Sequence, residues 1–120
     1  MSKMIFIVDD TDSILTLTAS VLEDDYRVLT MLSAEKMFSL LAKKQPDLIL
    51  LDVEMPVING FEAIEKLKGN PEWSGIPVVF LTGYIDDSVI SRASEAGALC
   101  VIDKADISNI LLHRIREIIQ

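Results

Sequence analysis

A chain of 120 residues, half of them apolar and only one a cysteine, has the size of one domain and can bury a sizeable core without disulfides. Its 19 acidic against 11 basic side chains, a formal net charge of -8, argue against direct binding to nucleic acid, whose phosphates call for clustered Lys and Arg. The opening apolar run from Ile5 to Val8 is too short for a signal-peptide core or a membrane span, so the expectation is one cytoplasmic domain over residues 1–120 with no membrane partner.

In chain order, the first apolar run, Met4 to Val8, reads as a strand and stops abruptly at Asp9 and Asp10. Ile14, Leu17, Val21 and Leu22 follow at helical spacing. Tyr26 to Thr30 is apolar but interrupted by Arg27, which suits an edge strand with a margin in water. Ser33 then caps a helix carrying Ala34, Met37, Phe38 and Leu41. Leu48 to Leu51 is a second continuous run, closed by Asp52, and Asn59 with Glu62 three residues on forms the capping box of a helix bearing Phe61, Ile64 and Leu67. Trp73, in the polar loop beyond, reads as a local lid over the core. Val78 to Leu81 ends at Thr82; Val89, Ala93 and Ala96 mark the fourth helix, which Gly97 ends in a left-handed turn. Ala98 to Ile102 leads to Asp103 and Lys104, and Ile107, Ile110, Leu111 and Ile118 give the last helical stripe. Cys100 reads as a small buried hydrophobe, and His113, the only histidine, as a surface residue.

Strand and helix thus alternate five times. Continuous Ile, Val and Leu runs suit parallel strands covered on both faces, so the fold class is α/β, a doubly wound five-stranded parallel sheet with helices on both sides. In such a sheet the C-terminal ends of the strands share one edge, where ligands bind. That edge should gather Asp9, Asp10, Asp52, Thr82, Asp103 and Lys104. Carboxylates about 4 Å apart repel by roughly 4 kcal/mol per pair at an effective dielectric near 20, so a cation belongs among them. A hard divalent ion such as Mg²⁺ suits an all-oxygen set made by Asp9, Asp10 and Asp52. Asp52 is also a candidate nucleophile for phosphoryl transfer, with the Thr82 hydroxyl and the Lys104 ammonium answering charge on the phosphate oxygens. Singly, each residue has an ordinary reading: Asp10 or Asp12 as a helix cap, Asp52 as a strand end, Thr82 before Gly83 as a turn, Lys104 as a solvated loop lysine.

Asp9-Asp10, Asp52 followed by Met55-Pro56 and Gly60, Thr82-Gly83, and Lys104 together resemble, in order and spacing along the whole chain, the response-regulator receiver domains of two-component signalling. The resemblance implies a flavodoxin-like sheet of strand order 2-1-3-4-5. It implies Asp52 as phosphoacceptor, Asp9 and Asp10 as the acidic pair that holds Mg²⁺ or Mn²⁺, and the Glu54 backbone carbonyl as a further ligand. Thr82 becomes the switch hydroxyl and Lys104 the phosphate-pairing lysine. The implied donor is the phosphohistidine of a sensor histidine kinase or histidine phosphotransfer protein, and the implied downstream target docks on the fourth helix, fifth strand and fifth helix. The chain departs from the family at Ala105, where a proline after a cis bond is usual. A cis bond before Ala costs about 3–4 kcal/mol, so the Lys104-Ala105 bond is either trans in a rearranged loop or held cis by its surroundings. It departs again at Val101, where many members carry a switch aromatic. Glu54 and Tyr84, two residues beyond Asp52 and Thr82, are expected to hinder an attacking water and modulate the lifetime of the acyl phosphate.

The competing readings are a haloacid-dehalogenase-like phosphatase, a flavin-binding electron carrier and a phosphorylation-independent interaction module. The first would place an Asp where Glu54 stands, and the second would need a Ser/Thr/Gly-rich phosphate loop after the first strand, where this chain has acid. The third fits poorly with a complete charged site.

Overall fold

A computed structural model describes residues 2–120. The elements alternate as β1 (Met4–Val8), α1 (Asp12–Leu22), β2 (Arg27–Met31), α2 (Ala34–Leu41), β3 (Leu48–Asp52), α3 (Gly60–Lys68), β4 (Val78–Thr82), α4 (Asp87–Ala96), β5 (Cys100–Asp103) and α5 (Ile107–Ile118), with a short 3₁₀ turn at Lys104–Asp106. All the strand pairs are parallel and the order is β2-β1-β3-β4-β5, so the interrupted strand β2 does lie on an edge.

Side chains of a strand alternate between faces, and here both faces are dry. Phe6, Val8, Ile49, Leu51, Val78 and Phe80 meet Met37 of α2, Ile64 of α3 and Ala93 of α4 in one cluster. Ile5, Ile7, Leu48, Leu50, Val79, Leu81 and Ile102 meet Leu15 of α1 and Leu111 of α5 in the other. Residues 5–8, 48–51 and 78–81 are all fully buried, which is why these runs show no polar alternation.

The caps follow the sequence. Ser33 Oγ accepts from Lys36 N (3.2 Å), Asn59 and Glu62 form the reciprocal capping box, and Gly97 takes φ +99°. Trp73 is partly buried on the first cluster, its ring 5.6 Å from Phe38.

Two helical stripes differ from the expected ones. On α1 the buried face is Leu15, Thr18 and Leu22, while Leu17 is exposed and Ile14 and Val21 are half-buried. Thr18 can be buried because its hydroxyl donates to the Ile14 carbonyl at 2.6 Å, leaving the methyl to pack. On α5, Ile115 completes the buried face with Ile107 and Leu111, and Ile110 turns outward. Cys100 is half-buried rather than fully buried: it lies on the edge strand β5, on the side that packs with Ile102 against α5. Burial pushes its thiol pKa up, with opposing pulls from Arg114 and Glu117.

Candidate functional site

Strand parity assembles the site. Asp9 continues the side of β1 that carries Ile5 and Ile7, and Asp52 continues the side of β3 that carries Leu48 and Leu50, so both carboxylates stand at the end of the same face. Asp9 and Asp52 are 0% and 2% exposed, and Asp10 lies in water beside them. One carboxylate oxygen from each of Asp9, Asp10 and Asp52 lies within 4.8 Å of the others.

Lys104 Nζ enters this cluster, 2.8 Å from Asp9 Oδ2 and 3.1 Å from Asp52 Oδ1. Asp9 Oδ1 accepts from Thr11 N (2.9 Å) and Asp52 Oδ1 from Glu54 N (3.2 Å). Asp52 Oδ2 is buried without a partner, whereas Asp9 Oδ2, also buried, has the Lys104 ammonium as its ion-pair partner. One ammonium stands among three carboxylates, which leaves an excess of negative charge and one oxygen, Asp52 Oδ2, without a partner. A hard divalent cation answers both, so the donor set fits Mg²⁺ or Mn²⁺.

The electrostatics carry the same message. Burial, then the neighbouring Asp9 charge, push the Asp52 pKa up to about 6 from an ordinary 3.8, and Lys104 and the Glu54 N–H only partly offset them. Burial pulls Lys104 down, but the contacts with Asp9 and Asp52 outweigh it and its pKa is raised.

Close packing fixes where Asp52 stands. Gly60 opens α3 by donating to the Val53 carbonyl (2.8 Å), and a Cβ on Gly60 would press on the Asp52 carbonyl oxygen and come within 2.8 Å of Val53 Cα. Between them Val57 adopts φ +69°, with Ile58 N donating to Pro56 O across it (2.8 Å), a γ-turn on a β-branched residue that is 81% exposed.

Thr82 is 2% exposed and belongs to the opposite side of the sheet, following Phe80. Its hydroxyl is held by the Tyr84 backbone, accepting from N and donating to O, both at 3.1 Å. Glu54 is exposed, Tyr84 is 64% exposed, and Val101 is half-buried against the cluster beneath α4. Asp10 caps no helix: the N-cap of α1 is Thr11, which makes no side-chain cap bond, so the capping reading of Asp10 is set aside. The chain has no cis bond among the described residues, so Lys104-Ala105 is trans. The freed Ala105 N–H donates to Asp103 Oδ1 at 2.8 Å, capping the 3₁₀ turn. This cap, and the close approach at Gly60, are features that the sequence reading missed.

The response regulator receiver domain family matches residues 5–116. The response regulator PleD of Caulobacter vibrioides is 33% identical over 119 residues, covering 98% of this chain and 26% of PleD. The polar-differentiation response regulator DivK of Brucella ovis is 29% identical, covering 87% of this chain and 85% of DivK. The signal receiver domain of a signal transduction histidine kinase from Syntrophus aciditrophicus has the same fold, with a TM-score of 0.87 at 29% identity over 97% of this chain and 89% of that one. The chain spans about a quarter of the length of several curated relatives, PleD included, and most of the length of DivK.

Proposed function

The chain belongs to the response regulator receiver domain family, and on that premise we propose that Asp52 accepts a phosphoryl group from the phosphohistidine of a sensor histidine kinase or histidine phosphotransfer protein. Asp9, Asp10, Asp52 and the Glu54 carbonyl would hold Mg²⁺ or Mn²⁺. The observation that carries this reading is the Asp52 carboxylate itself, buried, with one oxygen unpartnered, among two further acids and one ammonium.

A lone pair of Asp52 attacks phosphorus as the bond from phosphorus to the donor imidazole nitrogen breaks, and the bonding pair returns to the ring. The product is an acyl phosphate. When bound, the divalent ion supplies positive charge to the transferred oxygens and keeps Asp52 ionised at neutral pH. Lys104 moves its contact from Asp52 to a phosphate oxygen, and Thr82 exchanges the Tyr84 carbonyl for another. Tyr84 and Glu54, exposed on either side, slow the approach of water to the acyl phosphate. With Val101 in place of an aromatic, the displaced Thr82 reports through the loop to α4, and a target docks on α4, β5 and α5. The setting is cytoplasmic, and no helix among the described residues is long and apolar enough to cross a membrane.

Incubation with Mg²⁺ and phosphoramidate or acetyl phosphate, followed by intact mass, tests the proposal. A phosphoryl adduct on wild type that is absent from Asp52→Asn supports it. No adduct, or steady turnover of a phosphomonoester as by a phosphatase, overturns it. Unchanged dephosphorylation in Tyr84→Ala and Glu54→Ala would remove the shielding role alone.

A further inference from the structure

Among the described residues Lys104 is the only cation paired with the acidic cluster, so whatever sets its backbone bears on the geometry of the site. On one side it is tied to the sheet: β5 ends at Asp103, which pairs in register with Thr82. On the other side the chain enters the 3₁₀ turn Lys104–Asp106, of which no residue is buried. Core packing therefore does not hold this turn. Hydrogen bonds do, from Ala105 N to Asp103 Oδ1 at 2.8 Å and from Ile107 N to the Lys104 carbonyl.

We infer that Asp103 is a positioning residue: by accepting the Ala105 N–H it fixes the turn that aims Lys104 at Asp9 and Asp52. The role is that of an acceptor rather than of a charge. Asp103 makes no ion pair with Lys104, whose carboxylate partners are Asp9 and Asp52, and it stands outside the three-carboxylate cluster. Alanine at 105 is what makes the bond available, because a proline there would have no N–H to give. A long, flexible ammonium-bearing side chain is directed only as well as its Cα is fixed, and this backbone is anchored at one end by the ladder and at the other by an Asx turn. The kinetic consequence rests on the proposed phosphoryl transfer; the positioning itself does not.

Three variants separate the possibilities. Asp103→Asn keeps Oδ1 and drops the charge. Asp103→Ala removes the acceptor, and Asp103→Val removes it with a side chain that favours strands, which guards against loss of folding in the alanine variant. Trace acylation of the metal-free protein with acetic anhydride, read by mass spectrometry as Lys104 modification relative to the other lysines, measures how firmly Lys104 is held. Wild type and Asp103→Asn are expected to protect Lys104 alike, and Ala and Val to raise its relative reactivity about five-fold, the scale of a lost cap. With Mg²⁺ and phosphoramidate, Ala and Val should lower the maximal phosphorylation rate by a similar factor while half-saturating Mg²⁺ stays unchanged, and Asn should restore it. Wild-type acylation in Ala and Val overturns the inference, and so does an Asn variant that behaves like Ala, since charge would then be the cause. If the acylation pattern appears but wild type takes no phosphoryl group, the positioning stands and the proposed function fails. A phosphorylated wild type with flat acylation sinks the positioning alone.

Discussion

Replacing Asp52 by Asn should stabilise the metal-free protein at neutral pH, although it removes the proposed phosphoacceptor. With the carboxyl pushed up to about 6 from 3.8, its ionised form costs the fold about 3 kcal/mol. The sign follows from proton binding: between those two values the folded state holds the proton more tightly than the unfolded state. Stability is therefore fully present below 3.8 and is lost as pH rises through about 6. Asparagine drops the charge, keeps an acceptor for the Glu54 N–H, and leaves Lys104 in a one-to-one pair with Asp9. A gain of about 1–3 kcal/mol at pH 7.5 is expected, read as a rise of about 1–2 M in the urea midpoint in the presence of EDTA. The gap should close as the wild type is taken to pH 5 and Asp52 accepts its proton. An Asn variant no more stable than wild type at pH 7.5, or a gap independent of pH, would refute the claim that Asp52 is electrostatically frustrated.

Saturating Mg²⁺ at 100 times its dissociation constant should raise wild-type stability by about 2.7 kcal/mol and Asp52→Asn by clearly less; equal shifts in thermal midpoint would place the ion elsewhere. Lys104→Met leaves two buried carboxylates without their cation, and should destabilise the metal-free protein by about 2–4 kcal/mol at pH 7.5, with partial recovery at pH 5 in the same urea titration. Gly60→Ala drives a methyl into the β3 backbone, so a loss of roughly 2 kcal/mol or more is expected by denaturant unfolding. Val57→Gly should instead stabilise by roughly 0.5–1 kcal/mol, because relief of the positive φ exceeds the entropy that glycine adds to the unfolded chain.

The strands were legible where both faces are dry. The runs read as Met4 to Val8, Leu48 to Leu51 and Val78 to Leu81 carry no polar residue, and all of their side chains but the half-buried Met4 are buried in the parallel sheet. Helix faces were less so, because an intrahelical bond can neutralise a polar side chain: the apolar stripe Ile14, Leu17, Val21 and Leu22 leaves out Thr18, which is buried with its hydroxyl turned back on the Ile14 carbonyl. The site was legible as a set, since Asp9, Asp10, Asp52 and Lys104 terminate or follow strands that any parallel sheet must align. Taken singly, Asp10 pointed to a cap that it does not form. The trans bond at Ala105 is the ordinary state before a non-proline residue, but that Asp103 Oδ1 takes the Ala105 N–H could not be read ahead, because such Asx pairs are common in loops of every kind. Nor does spacing reveal that Gly60 must sit against the Asp52 carbonyl.

The two-sided burial of β3 makes its alignment self-checking. Slipping the strand by one residue against β1 and β4 would exchange Leu51 and Asp52 between faces, sending a carboxylate toward the layer of α2, α3 and α4 and withdrawing it from Lys104. The misaligned chain would thus be penalised twice, by a stranded charge in oil and by an acid pair short of its third member. Insertions and deletions within β3 therefore have no neutral route.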